Sequence, residues 1–324
     1  MDKDIKLVAI DLDGTLLATD KKIVEKNIEA IKKIHEKGIE VVIATGRCFN
    51  GFWWIRQKLG LEGFDDYSIC NTGAFVRRNA DGKAIIENHL EKSDYEKISS
   101  YLGEYDLQIG IFTKDVLYNN AEVVNDGFRK DQEIMKLPRL KFKDYDDIEG
   151  KVARINFMGD EDKLDRFYEE NKEALEKDYM TMRNESYALE VLKKSSGKSN
   201  GLKKLCEYLD IDLENVAYFG DGSNDIESIK IAGLGIAMAN ASKEIKEADG
   251  IIIAADRQVD LSRFNGKPLI NESVREGIHR PKELIQRVID QDAQIYHDQN
   301  ISSNMSRDQE ESHKSNIQMV YQHL

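Results

Sequence analysis

The sequence predicts an α/β protein in which a Rossmann-like parallel-sheet core is interrupted by an inserted α/β domain. Three observations carry that expectation. Continuous apolar runs alternate with helical periodicity through the first 78 residues, the pattern of strands buried on both faces of a parallel sheet. From about Asn79 the strands become shorter and the chain more polar. The first rhythm then returns at Ser195, so the core is assembled from two separate stretches.

Residues 5–10 form a short apolar run ending in Asp-Leu-Asp-Gly, a buried strand entering a turn. Val24, Ile28, Ile31 and His35 recur at helical spacing, and Gly38 stops that helix. Residues 39–44 (IEVVIA) read as a second buried strand, ended by Thr45-Gly46-Arg47, and a helix over about 49–59 leads to a third strand at 67–70. Asn79-Ala80-Asp81-Gly82 is a turn between short extended segments. Beyond it come strands at 107–112, 152–157, 179–183 and 187–192, with helices near 93–103 and 161–176.

In the returning stretch, Leu202, Leu205, Cys206 and Leu209 mark an amphipathic helix, and residues 215–219 a strand ending in Gly220-Asp221. A helix over 225–231, a strand over 234–239, a short helix over 243–248 and a last strand over 250–254 follow. Leu284, Ile285, Val288 and Ile289 support one more helix. From Gln291 the chain is rich in Gln, Ser, Asn and His, holds neither Gly nor Pro, and reads as a mobile tail. The expected organisation is a discontinuous core over 1–78 and 195–255, a cap over 79–194, and an extension over 256–324 that is partly helical or disordered.

Composition narrows the function. The 324 residues hold 47 basic and 60 acidic side chains, a formal charge of −13, which disfavours a nucleic-acid partner. Cys48, Cys70 and Cys206 form no CxxC pair, so neither a disulfide framework nor a zinc knuckle is read. The acidic amino end does not resemble a signal peptide, and no apolar run approaches the roughly 18 residues of a membrane span. The expectation is a reduced, cytoplasmic protein, a monomer or homodimer, with neither nucleic acid nor membrane as partner.

Ligands of open parallel sheets sit beyond the carboxyl ends of the strands. At those ends lie Asp11 and Asp13, Thr45, Asn71 and Asp221, with Lys198 at the start of the helix before the fourth core strand. Three carboxylates on one rim cannot all stay charged without a counter-charge. A divalent cation answers that need, and oxygen donors suit Mg2+. Asp225, one helical turn after Asp221, can join the metal's inner or outer shell. The cation and Lys198 make an anion pocket, and Thr45 can donate to a phosphate oxygen. Asp11 can then act as a nucleophile on phosphorus, and Asp13 as the acid and base beside it. Each residue alone has a plainer explanation as a turn, a helix cap or a solvated lysine. Their conjunction at one edge of one sheet is what points to chemistry.

Four stretches carry a resemblance: Asp-Leu-Asp-Gly-Thr-Leu-Leu (11–17), Val-Ile-Ala-Thr-Gly-Arg (42–47), Lys198 heading its helix, and Phe-Gly-Asp-Gly-Ser-Asn-Asp (219–225). They resemble the four motifs of the haloacid dehalogenase superfamily. Residues 232–241 look like its Cof-type branch, subfamily IIB, whose C2-type caps are α/β inserts between the second and third motifs. The resemblance covers about residues 4–254. It implies Asp11 as nucleophile, Asp13 as acid and base, and Thr45 and Lys198 on the phosphoryl group. Mg2+ would be held by the Asp11 side chain, the Asp13 carbonyl and Asp221. Asn224 and Asp225 would support that site, with Gly46, Arg47 and Asn71 on the substrate side. Two departures stand out. Asn71-Thr72-Gly73-Ala74 replaces the branch's Asn-Gly-Ala, and Ala-Ala-Asp-Arg-Gln-Val follows the last core strand in place of an acidic segment.

Competing motifs fail. Gly197-Lys198-Ser199 lacks the earlier glycine of a P-loop, since Leu192 holds that position, and Gly233-Leu-Gly235 precedes a strand and has Met238 at the third glycine. The expected activity is a Mg2+-dependent phosphatase acting on a small phosphorylated metabolite, with a sugar phosphate as first choice, through an aspartyl-phosphate. A phosphomutase on the same scaffold, or a catalytically silent regulatory protein of the same fold, are the alternatives.

Overall fold

The computed structural model describes residues 4–18, 21–238, 241, 250–254, 268–272, 294–295 and 317–321. The chain begins with β1 (Leu7–Ile10), α1 (Glu25–Glu36), β2 (Glu40–Ala44), α2 (Trp53–Leu59), β3 (Tyr67–Cys70), β4 (Phe75–Arg78) and β5 (Ala84–Glu87). It continues through α3 (Lys92–Ser100), β6 (Gln108–Phe112), β7 (Leu117–Asn119), α4 (Asp126–Met135), β8 (Arg139–Lys141), β9 (Arg154–Met158), α5 (Glu161–Asp178), β10 (Tyr179–Glu185) and β11 (Ala188–Lys193). Then come α6 (Lys198–Leu209), β12 (Val216–Gly220), α7 (Ile226–Ile231), β13 (Leu234–Ala237), β14 (Gly250–Ala254), β15 (Pro268–Glu272), β16 (Gln294–Ile295) and β17 (Ile317–Tyr321). These elements fall into two compact units, Met1–Val24 with Ile211–Leu324, and Glu25–Asp210.

The first unit has a parallel sheet at its centre. β1 pairs with β12 from Leu7↔Val216 to Ile10↔Phe219, and β12 pairs with β13, all in parallel. Every residue of β1 is buried, as an apolar run in a parallel sheet requires. β13 ends at Ala237, two residues short of the expected strand, although Met238 still donates its amide to Gly220 O. β14, the expected last strand, is present, but it lies in a four-stranded sheet, parallel to β15 and β17. Strands β15, β16 and β17 fall where the sequence reading places none. The helices expected over 243–248 and around 284–289 lie outside the described residues.

The second unit holds two sheets. β2 and β3 are parallel, and β4 and β5 extend β3 as an antiparallel hairpin around the Asn79–Gly82 turn region. Helix α1 buries Ile28 and Ile31, two of the four positions its spacing picks out, while Val24 is half-buried and His35 exposed. The second sheet has the order β10-β11-β9-β6-β7-β8 and is antiparallel except for β7 beside β8. Its strands alternate faces. Ile109, Ile111, Ile155, Phe157, Leu189 and Val191 face one core, closed by Ile98 of α3 and by Leu164, Phe167 and Leu175 of α5. Phe112, Met158 and Ala188 face the other way and pack with Phe128 and Met135 of α4 and with Cys48.

Helix α4 and strands β7 and β8 are absent from the sequence reading. Two of them are three-residue strands, and α4 begins at an Asn125 cap, whose side chain accepts from Phe128 N, without a clear apolar stripe. No described helix is long and apolar enough to cross a membrane. The three cysteines are free and buried.

Candidate active site

β1 delivers Asp11 to its carboxyl end, where Asp11 N still bonds Phe219 O at 2.9 Å and the carboxylate is 5% exposed. The chain then folds back on itself, with Leu17 N on Leu12 O and a bridge between Asp13 and Leu17. That fold needs Gly14. Its φ is +92°, and a Cβ there would lie 2.2 Å from Asp221 Oδ2, so glycine is demanded by both backbone and neighbour. Thr15 Oγ1 donates to Asp221 Oδ1 at 2.8 Å.

β12 brings Asp221 to the same end. Asp225, fully buried, braces the turn that follows: Oδ1 accepts from Tyr218 Oη at 2.6 Å, and Oδ2 from the amides of Asp221 and Gly222 at 3.2 and 3.0 Å. Burial, then the charges of Asp225 and Asp11, push the Tyr218 phenol well above its usual range, so Tyr218 stays a neutral donor. Asn224 sits half-buried on the 3-10 turn Ser223–Asp225.

Asp11, Asp221 and Asp225 each offer a carboxylate oxygen, and these lie within 4.8 Å of one another. Buried like charges so close favour a bound cation, and an all-oxygen set suits a hard divalent ion. The donors fit unequally. Both Asp225 oxygens already accept hydrogen bonds, which suits an outer, bracing place, whereas Asp11 and Asp221 suit direct contact. Asp13 is turned toward Lys21, with Nζ to Oδ1 at 2.8 Å.

The second unit presents the other expected residues. Thr45 directly follows β2, 1% exposed, and its Oγ1 accepts from Arg47 N at 3.1 Å. The loops after β2 and β3 are laced together: Asn71 N donates to Arg47 O at 2.9 Å and Thr72 N to Thr45 O at 3.1 Å. Asn71, Thr72 and Gly73 are all left-handed, with φ of 50°, 53° and 78°. Such strain in three successive residues persists only where the surroundings enforce it. A Cβ on Gly73 would lie 2.1 Å from Gly197 O, and Gly197 N donates to Thr72 O at 2.9 Å. The start of α6, and with it Lys198 at 1% exposure, is thereby fastened to the loop after β3.

Arg47 is buried and donates to Ile134 O, near the carboxyl end of α4, at 3.3 Å, where a helix's carbonyl dipoles favour a cation. The Asn71 amide donates to Cys48 Sγ at 3.3 Å. Burial pushes the Cys48 thiol up to about 12, so it remains protonated.

Within the first unit the structure therefore brings Asp11, Asp221 and Asp225 together, and Asp13 pairs with Lys21. Within the second it ties Thr45, Gly46, Arg47 and Asn71 to the head of α6. Sequence reading missed Thr15 and Tyr218, which have ordinary roles until Asp221 and Asp225 are placed beside them, and Gly73, whose role appears only when the Gly197 backbone is placed against it. It also missed Arg154 on β9, whose Nη1 donates to Gly46 O at 2.8 Å and to Glu190 Oε2 at 3.1 Å. Two polar residues, Arg154 and Asn156, alternating with apolar ones in a fully buried strand were the available signal.

Comparison with known proteins adds the following. Residues 8–260 match the family model described as haloacid dehalogenase-like hydrolase. The phosphatase YwpJ of Bacillus subtilis is 27% identical over 279 residues, covering 78% of this chain and 96% of that protein. Among solved structures, a haloacid dehalogenase-like hydrolase from Bacteroides thetaiotaomicron has a TM-score of 0.69 at 28% identity, over 75% of this chain and 91% of that one. A subclass IIB sugar phosphatase of the same superfamily shares the fold, with a TM-score of 0.61 at 20% identity over 74% and 90% of the two chains.

Proposed function

The chain belongs to the haloacid dehalogenase-like hydrolases, and from that premise we propose a Mg2+-dependent phosphatase that cleaves a small phosphorylated metabolite through an aspartyl-phosphate. Hydrolysis of phosphoric monoesters is the family activity. The observation that carries the finer reading is the trio of carboxylate oxygens from Asp11, Asp221 and Asp225 within 4.8 Å.

The Asp11 carboxylate attacks phosphorus, forming an acyl phosphate as the bond to the leaving oxygen breaks. Asp13 leaves Lys21, takes up a proton from solvent and gives it to the leaving oxygen. The same side chain then takes a proton from water, which attacks phosphorus and frees Asp11 and inorganic phosphate. Thr45 and Lys198 bind the phosphoryl oxygens, with Gly46, Arg47, Asn71 and Asn224 on the substrate side. Mg2+ would be held by the Asp11 carboxylate, the Asp13 carbonyl and Asp221, with Asp225 behind them. When bound it neutralises charge on the phosphoryl group.

A sugar phosphate is the first candidate, supported by the sugar phosphatase of like fold. The core is assigned to 1–78 and 195–255, the cap to 79–194 and an extension to 256–324. A cytoplasmic location fits the free cysteines, and the assembly proposed is a monomer or homodimer. The test is phosphate release from a panel of phosphorylated metabolites. Asp11→Asn abolishes it, and chelation abolishes it until Mg2+ is restored; turnover by Asp11→Asn at the wild-type rate would refute the mechanism.

A further inference from the structure

We infer that Asn156, with Glu190 and Arg154 beside it, forms the subsite that reads hydroxyl groups on the leaving group; this rests on the phosphatase reading above. The starting observation is a shortage of partners. Asn156 is fully buried, yet both its Nδ2 and its Oδ1 lack a hydrogen-bond partner among the described residues. Natural proteins rarely leave a buried amide so. Nor is it alone. Arg154 Nε, Thr72 Oγ1 and Ser196 Oγ are buried and unpartnered as well.

These groups are neighbours in the fold. On β9, Ile155 and Phe157 point into one apolar core, which puts Arg154 and Asn156 together on the opposite face. Glu190 on β11 stands directly across from Asn156, and its carboxylate meets Arg154. Arg154 reaches Gly46 O, and Thr72 Oγ1 lies 3.4 Å from where a Gly46 Cβ would stand. Ser196 directly precedes Gly197, which bonds Thr72 O. Arg154 and Thr72 thus border the Thr45-Gly46-Arg47 loop, to which the phosphoryl group is assigned, and Asn156 lies beside Arg154 on the same strand face.

Their chemistry names the ligand class. The Asn156 amide supplies one acceptor and two donors, Glu190 supplies acceptors, and Arg154 a fixed donor. Adjacent hydroxyl groups, each at once donor and acceptor, complement that set, whereas an apolar or aryl leaving group would leave it unpaired. Discrimination of this type is steep, because the wrong ligand strands buried polar groups. The subsite therefore selects a polyol or sugar as the leaving alcohol.

Asn156→Leu keeps the number and branching of the side-chain heavy atoms and removes both polar atoms. Wild type and variant are compared by phosphate release from ribose 5-phosphate and from p-nitrophenyl phosphate, whose leaving group has no aliphatic hydroxyl. The expected result is a fall of about tenfold or more in the ratio of the two kcat/KM values; an unchanged ratio overturns the inference, since a purely structural defect moves both substrates together. Asn156→Ala is read identically should the leucine variant not fold. The melting temperature supplies a second reading. Ribose 5-phosphate raises that of wild type by more than that of the variant, and equal shifts overturn the inference. A variant-sensitive shift in a wild-type protein that releases no phosphate would sink the phosphatase reading and leave the subsite standing.

Discussion

The strand ends around Asp11 and Asp221 and the polar cluster of Arg154, Asn156 and Glu190 on the six-stranded sheet both hold buried charges, yet they are finished to different degrees. At the strand ends nearly every polar atom has its partner: Thr15 on Asp221, and Tyr218 with two backbone amides on Asp225. On the sheet face, Arg154 and Glu190 are paired while Asn156 has no partner for either amide atom. In the first arrangement Asp221 and Asp225 are held in place by their partners. The second waits for groups that the chain does not supply. Under the proposed function, chemistry common to many substrates would belong to the first, and choice among substrates to the second.

That contrast can be broken, most severely at the carboxylates. Asp221→Asn should lower phosphate release by about a thousandfold or more while wild type retains activity, because it removes a charge that the reaction uses directly; a steady-state assay at saturating Mg2+ measures it. Gly73→Ala should come next. It combines a φ of +78° with a Cβ 2.1 Å from a backbone oxygen, so a loss of about 2–4 kcal/mol is expected in urea unfolding. Tyr218→Phe strands one Asp225 oxygen and should destabilise by about 1–3 kcal/mol, with kcat lowered more than KM raised.

The smallest effect tests the other face. Asp131 on α4 accepts from Tyr187 Oη at 2.9 Å, and burial raises its carboxyl to about 6, against the opposing pull of Arg154. The folded state therefore binds this proton more tightly than the unfolded chain. Its contribution is present below about pH 4 and is lost as pH rises through about 6. Asp131→Asn should flatten that slope in stability and gain about 1–2 kcal/mol at pH 7. An unaltered slope between pH 4 and 6 would show that Asp131 ionises freely.

Much of the strand-end site was legible in the residues themselves. A parallel strand buried on both faces must be a continuous apolar run, so the first polar residue after it marks the carboxyl edge of the sheet. That logic located Asp11, Thr45, Asn71 and Asp221 without coordinates. It stopped at Asp13, whose partner Lys21 is set by the return of one loop, and at Asn71, whose amide is occupied by Cys48. It also passed over α4, where only packing against the second sheet gives Phe128 and Met135 a shared face.

The order of residues, then, specified the α/β class, the carboxylates and their places at strand ends, because those depend on periodicity within a few residues of chain. Which distant residues meet was decided by strand register and loop closure. Arg154 on Gly46 and Glu190 opposite Asn156 exist only because β9 pairs with β11 in one register and lies against the loop after β2. A slip of one residue in that pairing would turn Asn156 and Arg154 to the opposite, apolar face, and no local pattern records which register wins.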